Sequence, residues 1–159
     1  MEDPVDAGRS LLLLLALLTA LNWAVHFYTQ TVTYRLFPTV AQAAGGTGFV
    51  RYHQAYEARL PWSVYVPWTL LTLTSLAFVF LRPDGVGPAW PVVLFVLNAS
   101  IAPISLLFAA PVHRAVDRTG DLTAAQAAAL LRWNGVRLVV ATASLAVVGA
   151  LAAGNLATA

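Results

Sequence analysis

The chain has 159 residues, 59% of them hydrophobic and only 10% charged, an apolar share above and a charged share below those of ordinary globular chains. A soluble fold has no way to hide that much apolar surface, and at roughly 20 apolar residues per crossing the length allows about four spans in one domain. The net charge of +2 rests on nine arginines and no lysine, an arginine-only, alanine-rich usage that reflects GC-rich coding rather than nucleic-acid binding, and the absence of cysteine excludes disulfide relays, thiolate metal sites and iron–sulfur ligation.

Glu2, Asp3 and Asp6 precede an apolar run that begins at Leu11. The start has neither the basic segment nor the small-residue cleavage site of a secretory signal, so the run is expected to be retained as a span. This first span covers about 11–34, with a second half, from His26 to Tyr34, much more polar than the first. Its helix is expected to continue to Phe37 and to break at Pro38 and at Gly45-Gly46-Thr47-Gly48. Residues 49–60 read as an amphipathic helix leading into a second span over about 61–81, which Pro61 and Pro67 bend rather than end.

Arg82-Pro83-Asp84-Gly85 is a turn signal. A third span over about 90–112 carries Asn98, Pro103 and Pro111 and stops at His113-Arg114. After a short polar loop, Thr123 is placed to cap a helix that runs into a fourth span over about 130–153. The expected fold is all-α, a transmembrane four-helix bundle with amphipathic extensions at one membrane face.

With four crossings, Arg9 and Arg82 fall on one side, and Arg35, Arg51, Arg59, Arg114, Arg118 and Arg132 on or near the other. The positive-inside rule then puts the arginine-rich side in the cytoplasm and both termini outside, in a cell membrane of bacterial inner-membrane type.

Nearly every chemically useful side chain gathers toward that arginine-rich face. His26, Tyr28, Gln30 and Tyr34 lie on span one, and Tyr52, His53, Tyr56, Glu57 and Arg59 precede span two. His113 and Arg114 close span three, while Trp133, Asn134 and Arg137 open span four. His26 with Gln30, His53 with Glu57, and Asn134 with Arg137 stand three or four residues apart, so each pair shares a helix face. His53, Glu57 and His113 are the candidate metal ligands; the plainer reading of His53 and Glu57 is a solvated polar face. His26 has a plain reading as an interhelical hydrogen-bond partner, and the aromatic residues, Trp62, Trp68 and Trp90 among them, as interfacial anchors. Arg137 lies about a turn inside span four, where an ionisable residue calls for a partner, Glu57 first and Asp117 second, unless it snorkels to the headgroups.

At these residues the chain resembles a family of small, uncharacterised bacterial four-span membrane proteins. The matching elements are Tyr34-Arg35-Leu36-Phe37, Tyr52-His53 with Arg59, Pro111-Val112-His113 and Asn134-Gly135-Val136-Arg137, spanning roughly Gln30 to Arg137. The chain departs from that pattern at Arg35, where proline is expected, and at Tyr56, where a second histidine is expected, and the latter weakens a histidine-cluster metal site. The layout is also similar, in architecture, to the membrane family that includes anthrone oxygenases, which oxidise aromatic polyketides; likeness of fold does not fix function.

Three functional readings follow from the residues. In the first, an enzyme acts on a lipophilic small molecule that enters sideways from the bilayer. His53 or His113 serves as general acid or base, Asn134 and Arg137 hold a developing oxyanion or enolate, and His26, Tyr28, Gln30, Tyr34, Tyr56 and Trp133 line the substrate. Oxygenation, isomerisation and cyclisation fit those roles equally, and a histidine-bound copper, iron or haem is the metal variant. In the second, the chain is a non-enzymatic accessory or assembly subunit, a homo-oligomer or part of a larger membrane complex, whose polar cluster fixes helix packing. A transporter is the third, and four spans without an internal repeat make one only by oligomerising. No Gly-rich phosphate loop or nucleophile elbow is present.

Overall fold

The structure, a computed structural model, describes residues 4–157, so Glu2 and Asp3 of the acidic start lie outside it. Among the described residues all regular structure is helical: α1 (Pro4–Tyr28), α2 (Tyr34–Glu57), α3 (Val66–Phe80), α4 (Ala89–Ile104), α5 (Ala110–Thr119) and α6 (Ala124–Ala157). Three short π-helical turns, Thr29–Thr33, Pro61–Tyr65 and Ser105–Ala109, join successive helices without breaking the spiral. Three continuous helical stretches, Ala7–Phe80, Ala89–Thr119 and Ala124–Asn155, contain segments long and apolar enough to cross a membrane.

The first of these stretches turns back on itself. At Gly45 the backbone takes φ 69° and ψ 171°, a positive-φ extended conformation that is open essentially to glycine alone. Phe37 and Phe49 lie on either side of it with ring centroids 5.9 Å apart, whereas twelve residues of straight helix would separate them by about 18 Å. Of the two expected breaks, only the glycine one occurs. Helix α2 runs through Pro38, because a missing N–H leaves one carbonyl unpaired and bends a helix without forcing the chain out of it.

After this reversal α3 packs against α1, α4 against α3, and α6 against both α4 and α1. The two ends of the first stretch therefore meet. A Cβ on Gly8 of α1 would stand 2.9 Å from the backbone nitrogen of Pro83, just beyond α3. The opening of α6 is a reciprocal cap: Thr123 N–H donates to Gln126 Oε1 at 2.8 Å, and Gln126 N–H donates to Thr123 Oγ1 at 3.2 Å.

Burial runs opposite to that of a water-soluble fold. Leu13, Leu17, Leu73, Val96 and Val139 are each more than half exposed, while Asn22, His26, His53, Asn98, Asn134, Arg137 and Ser144 are buried. An apolar outside and a polar inside suit a hydrocarbon surround. One buried cluster, Leu12, Leu15, Leu71, Phe78, Val86, Leu94 and Val148, fills the end near Pro83; a second, Tyr34, Phe37, Phe49, Val116 and Leu130, fills the other. Between them Asn98 of α4 donates to Ser75 Oγ of α3 at 2.8 Å and accepts from Ser144 Oγ of α6 at 2.7 Å, clamping three helices at one level.

The glycines separate backbone strain from crowding. Neither Gly45 nor Gly149 would bring an added Cβ within 4 Å of any atom beyond its chain neighbours and its own helix backbone. Gly45→Ala is therefore expected to destabilise by about 1–3 kcal/mol through its backbone conformation alone, and Gly149→Ala, inside α6, to stabilise by about 0.5–1 kcal/mol. Thermal unfolding in detergent should move in opposite directions for the two variants, and equal shifts would contradict the turn assigned to Gly45.

Candidate functional site

The site begins with Asn134, which ties α6 to α1. Its Nδ2 donates to the carbonyl of His26 at 2.9 Å and to Gln30 Oε1 at 2.9 Å. A backbone carbonyl only accepts, so the amide cannot be turned the other way, and Asn134 Oδ1 must face the imidazole of His26. The 3.3 Å contact between His26 Nδ1 and Asn134 Oδ1 then requires the proton on Nδ1. His26 Nε2 is left as a bare lone pair, and no partner in the structure meets it.

A second network joins α2 and α5. His53 Nδ1 and Asp117 Oδ1 are 2.8 Å apart, His53 Nε2 and His113 Nδ1 2.8 Å, and Tyr34 Oη and His113 Nε2 3.0 Å. A carboxylate at Asp117 only accepts, so His53 donates from Nδ1, His113 donates from Nδ1 to His53 Nε2, and Tyr34 donates to His113 Nε2. Glu57, one turn from His53, brings Oε1 to 3.7 Å from His113 Nδ1. The ligand atoms of His53, Glu57 and His113 all lie within 4.8 Å of one another. The imidazole rings of His53 and His113 therefore lie edge to edge, with centroids 5.1 Å apart and planes 24° apart, and the Tyr56 ring lies 6.3 Å from that of His113.

Both networks border one cavity of about 280 Å³, with Asn22, His26, Tyr34, Tyr56, Glu57, His113, Asn134 and Arg137 in its wall. All three π turns reach it, through Thr29, through Val64 and Tyr65, and through Ser105, Leu106 and Ala109. A π turn fits an extra residue into the spiral and shifts the side chains that follow it, and such turns recur at functional sites. Beside the cavity a groove of about 530 Å³ shares Asn22, Val25, Thr29, Tyr56 and Trp68 with it and continues to Leu21, Tyr28 and Pro67 on the flank between α1 and α3.

Arg137 does not make the expected pair with Glu57 or Asp117. Its Nη1 donates to Ser105 Oγ at 3.1 Å and its Nε meets no partner, and no carboxylate among the described residues forms an ion pair with it. Asp117 is engaged by His53 instead, and Glu57 lies nearest His113, at 3.7 Å from its Nδ1. Arg137 is 8% exposed, so it does not snorkel to the surface either.

The remaining residues sort by position. His53 is fully buried behind His113 and is absent from the cavity wall. Asn134, expected to hold an oxyanion, has both amide hydrogens donated, one to His26 of α1 and one to Gln30 in the π turn that follows it. Gln30 supports Asn134 and does not reach the cavity, and Tyr28 lines only the outer groove. Trp133 faces away, stacked on Phe108 at 4.0 Å with Arg132 over its ring at 4.8 Å. Two residues that sequence reasoning passed over, Asn22 and Ser105, belong to the wall. Asn22 carried a signal, standing one turn before His26 on the same face of an apolar helix. Ser105 carried none, because only the π turn places it opposite Arg137. No protein-family model matches the chain, and neither does any curated protein or solved structure.

Proposed function

We propose that the protein is a membrane enzyme of four crossings that abstracts a proton from a lipophilic small molecule beside a carbonyl group. The single observation that carries the reading is that, among the described residues, the three buried side-chain nitrogens without a partner, Asn22 Nδ2, His26 Nε2 and Arg137 Nε, belong to residues of one cavity wall. A cluster that served packing alone would satisfy itself, since an unpaired buried polar group costs about 1–3 kcal/mol. These groups have complementary chemistry. His26 offers a lone pair whose tautomer Asn134 sets, which is what a general base needs. The Arg137 guanidinium and the Asn22 amide offer donors to the oxygen on which charge develops as the C–H proton leaves. The proton goes to His26 Nε2 and the electron pair to the enolate, from which isomerisation, cyclisation and oxygenation all begin. The apolar groove between α1 and α3 supports entry from the lipid.

In this reading the Gly45 reversal divides the first long stretch into two crossings, so both termini share one side. Arg35, Arg51, Arg59, Arg114, Arg118 and Arg132 are all exposed, which supports counting them as loop charge and placing their end in the cytoplasm. Single cysteines at Ala7 and at Arg118, treated in intact bacteria with an impermeant thiol reagent, should label at position 7 only. Labelling at 118 alone would reverse the orientation.

The chemistry is tested by following solvent deuterium into a long-chain 1,3-dicarbonyl compound in nanodiscs. Exchange should exceed that of empty nanodiscs and fall by about 10²–10⁴ in His26→Ala, the usual worth of a positioned base. An undiminished rate in that variant would remove His26 from the mechanism.

Stability separates the enzyme from an accessory subunit held together by its polar cluster. Arg137 lacks an acidic partner, so Arg137→Leu strands no carboxylate, and its thermal midpoint in detergent should equal or exceed that of the wild type. Arg137→Lys should fold and yet exchange poorly, because lysine keeps the charge without the planar five-donor fork. A clear loss of stability in Arg137→Leu would favour the subunit reading.

A further inference from the structure

We infer that His53, His113 and Glu57 form a binding site for a divalent first-row transition metal of the two-histidine, one-carboxylate class, set in the cavity wall with its free coordination positions toward the cavity. Three features of the arrangement lead there, and none depends on the acid–base reading.

The first is convergence. His53 and Glu57 stand one turn apart on the second limb of α2, and His113 comes from α5, yet one ligand atom from each gathers within 4.8 Å of the others, His113 Nδ1 lying 2.8 Å from His53 Nε2 and 3.7 Å from Glu57 Oε1. Two nitrogens bound at about 2.1 Å to one ion lie about 3.0 Å apart at a right angle and about 3.4 Å apart at the tetrahedral angle. The observed 2.8 Å between His53 Nε2 and His113 Nδ1 needs only a few tenths of an ångström to reach the right-angled value. That geometry belongs to three ligands on one face of an octahedron, a set that leaves positions open and suits iron and its neighbours.

The second feature is the outer ring of partners. A metal-bound histidine almost always donates its other ring N–H to a carboxylate or another oxygen. His53 presents Nδ1 to Asp117 Oδ1 at 2.8 Å, and His113 presents Nε2 to the Tyr34 hydroxyl at 3.0 Å. On binding, the proton between the two imidazoles would shift to His113 Nε2, which then donates to the Tyr34 oxygen. Both histidines would keep every hydrogen bond on their far sides.

The third feature is access. Glu57 and His113 line the cavity while His53 sits behind them, fully buried. An ion held by the three is shielded on the His53 side and faces the space that would hold a small molecule.

The probe is cobalt(II), added to tag-free, chelator-stripped protein in nanodiscs. The wild type should take up one equivalent, with a visible d–d absorption and a raised thermal midpoint. His53→Ala, His113→Ala and the milder Glu57→Gln should each abolish stoichiometric uptake, and Asp117→Asn should retain it with affinity roughly 10–100-fold lower. His26→Ala, in the cavity wall but outside the triad, should bind as the wild type does. Failure of the wild type to bind above empty nanodiscs would overturn the site without reference to any variant. Equal loss in His26→Ala would also overturn it, by placing the ion elsewhere. Metal uptake by a protein inactive in deuterium exchange would leave this inference standing and reject the acid–base one.

Discussion

Inside an apolar shell a buried donor or acceptor cannot turn to water, and this constraint governs the molecule. Each polar side chain between the helices must find a partner there, cost about 1–3 kcal/mol unpaired, or face something brought in. Asn98 meets the demand between α3, α4 and α6, and Asn134 meets it between α1 and α6. Such bonds contribute modestly in membranes, on average about 0.6 kcal/mol, and their larger effect here is geometric. They fix rotation and depth for helices whose apolar faces would otherwise slide past one another.

Where the demand is not met among the described residues, the shortfall is concentrated in one place. Asn22, His26 and Arg137 belong to a single wall, at the level where all three π turns widen the helices. The turns and the unpaired groups are two sides of one arrangement. A regular helix packs closely and leaves no cavity, while a π turn displaces side chains and leaves carbonyls looser, at a cost the tight packing on either side has to offset. Arg137 shows the same balance, since a guanidinium buried without an acid opposes folding.

The wall also has two chemically distinct halves. On the α1 and α6 side, Asn134 holds His26 with its lone pair free, next to a cation. On the α2 and α5 side, Asp117 and Tyr34 hold a histidine pair whose inner nitrogens point at each other and at Glu57. The same rule positions both halves: a ring nitrogen held by an oxygen on one side presents the other nitrogen in a defined state. A proton acceptor and a set of metal-type ligands are thereby brought to one small space.

How much of this was legible beforehand depends on the range of the interaction. Composition and the apolar runs were sufficient for helices in an apolar surround, and the glycine run, the Thr123 cap and the gathering of His26, His53, Glu57, His113, Asn134 and Arg137 at one end were readable because they rest on near neighbours and on the helical period. Partner choice was not readable. Opposite charge points Arg137 to Glu57, but Asp117 is held by His53 and Glu57 lies beside His113, and proximity across helices depends on rotations that no single helix specifies. Trp133 and Gln30 shared the right level with the site yet point elsewhere, and Ser105 enters it only because a π turn changes the helical phase. The sequence by itself determined which segments are helical and which polar groups lie at the same depth, since both follow from local spacing. Only the tertiary structure decided which of those groups satisfy one another and which are left facing the cavity, because that turns on fractions of an ångström between helices far apart in the chain.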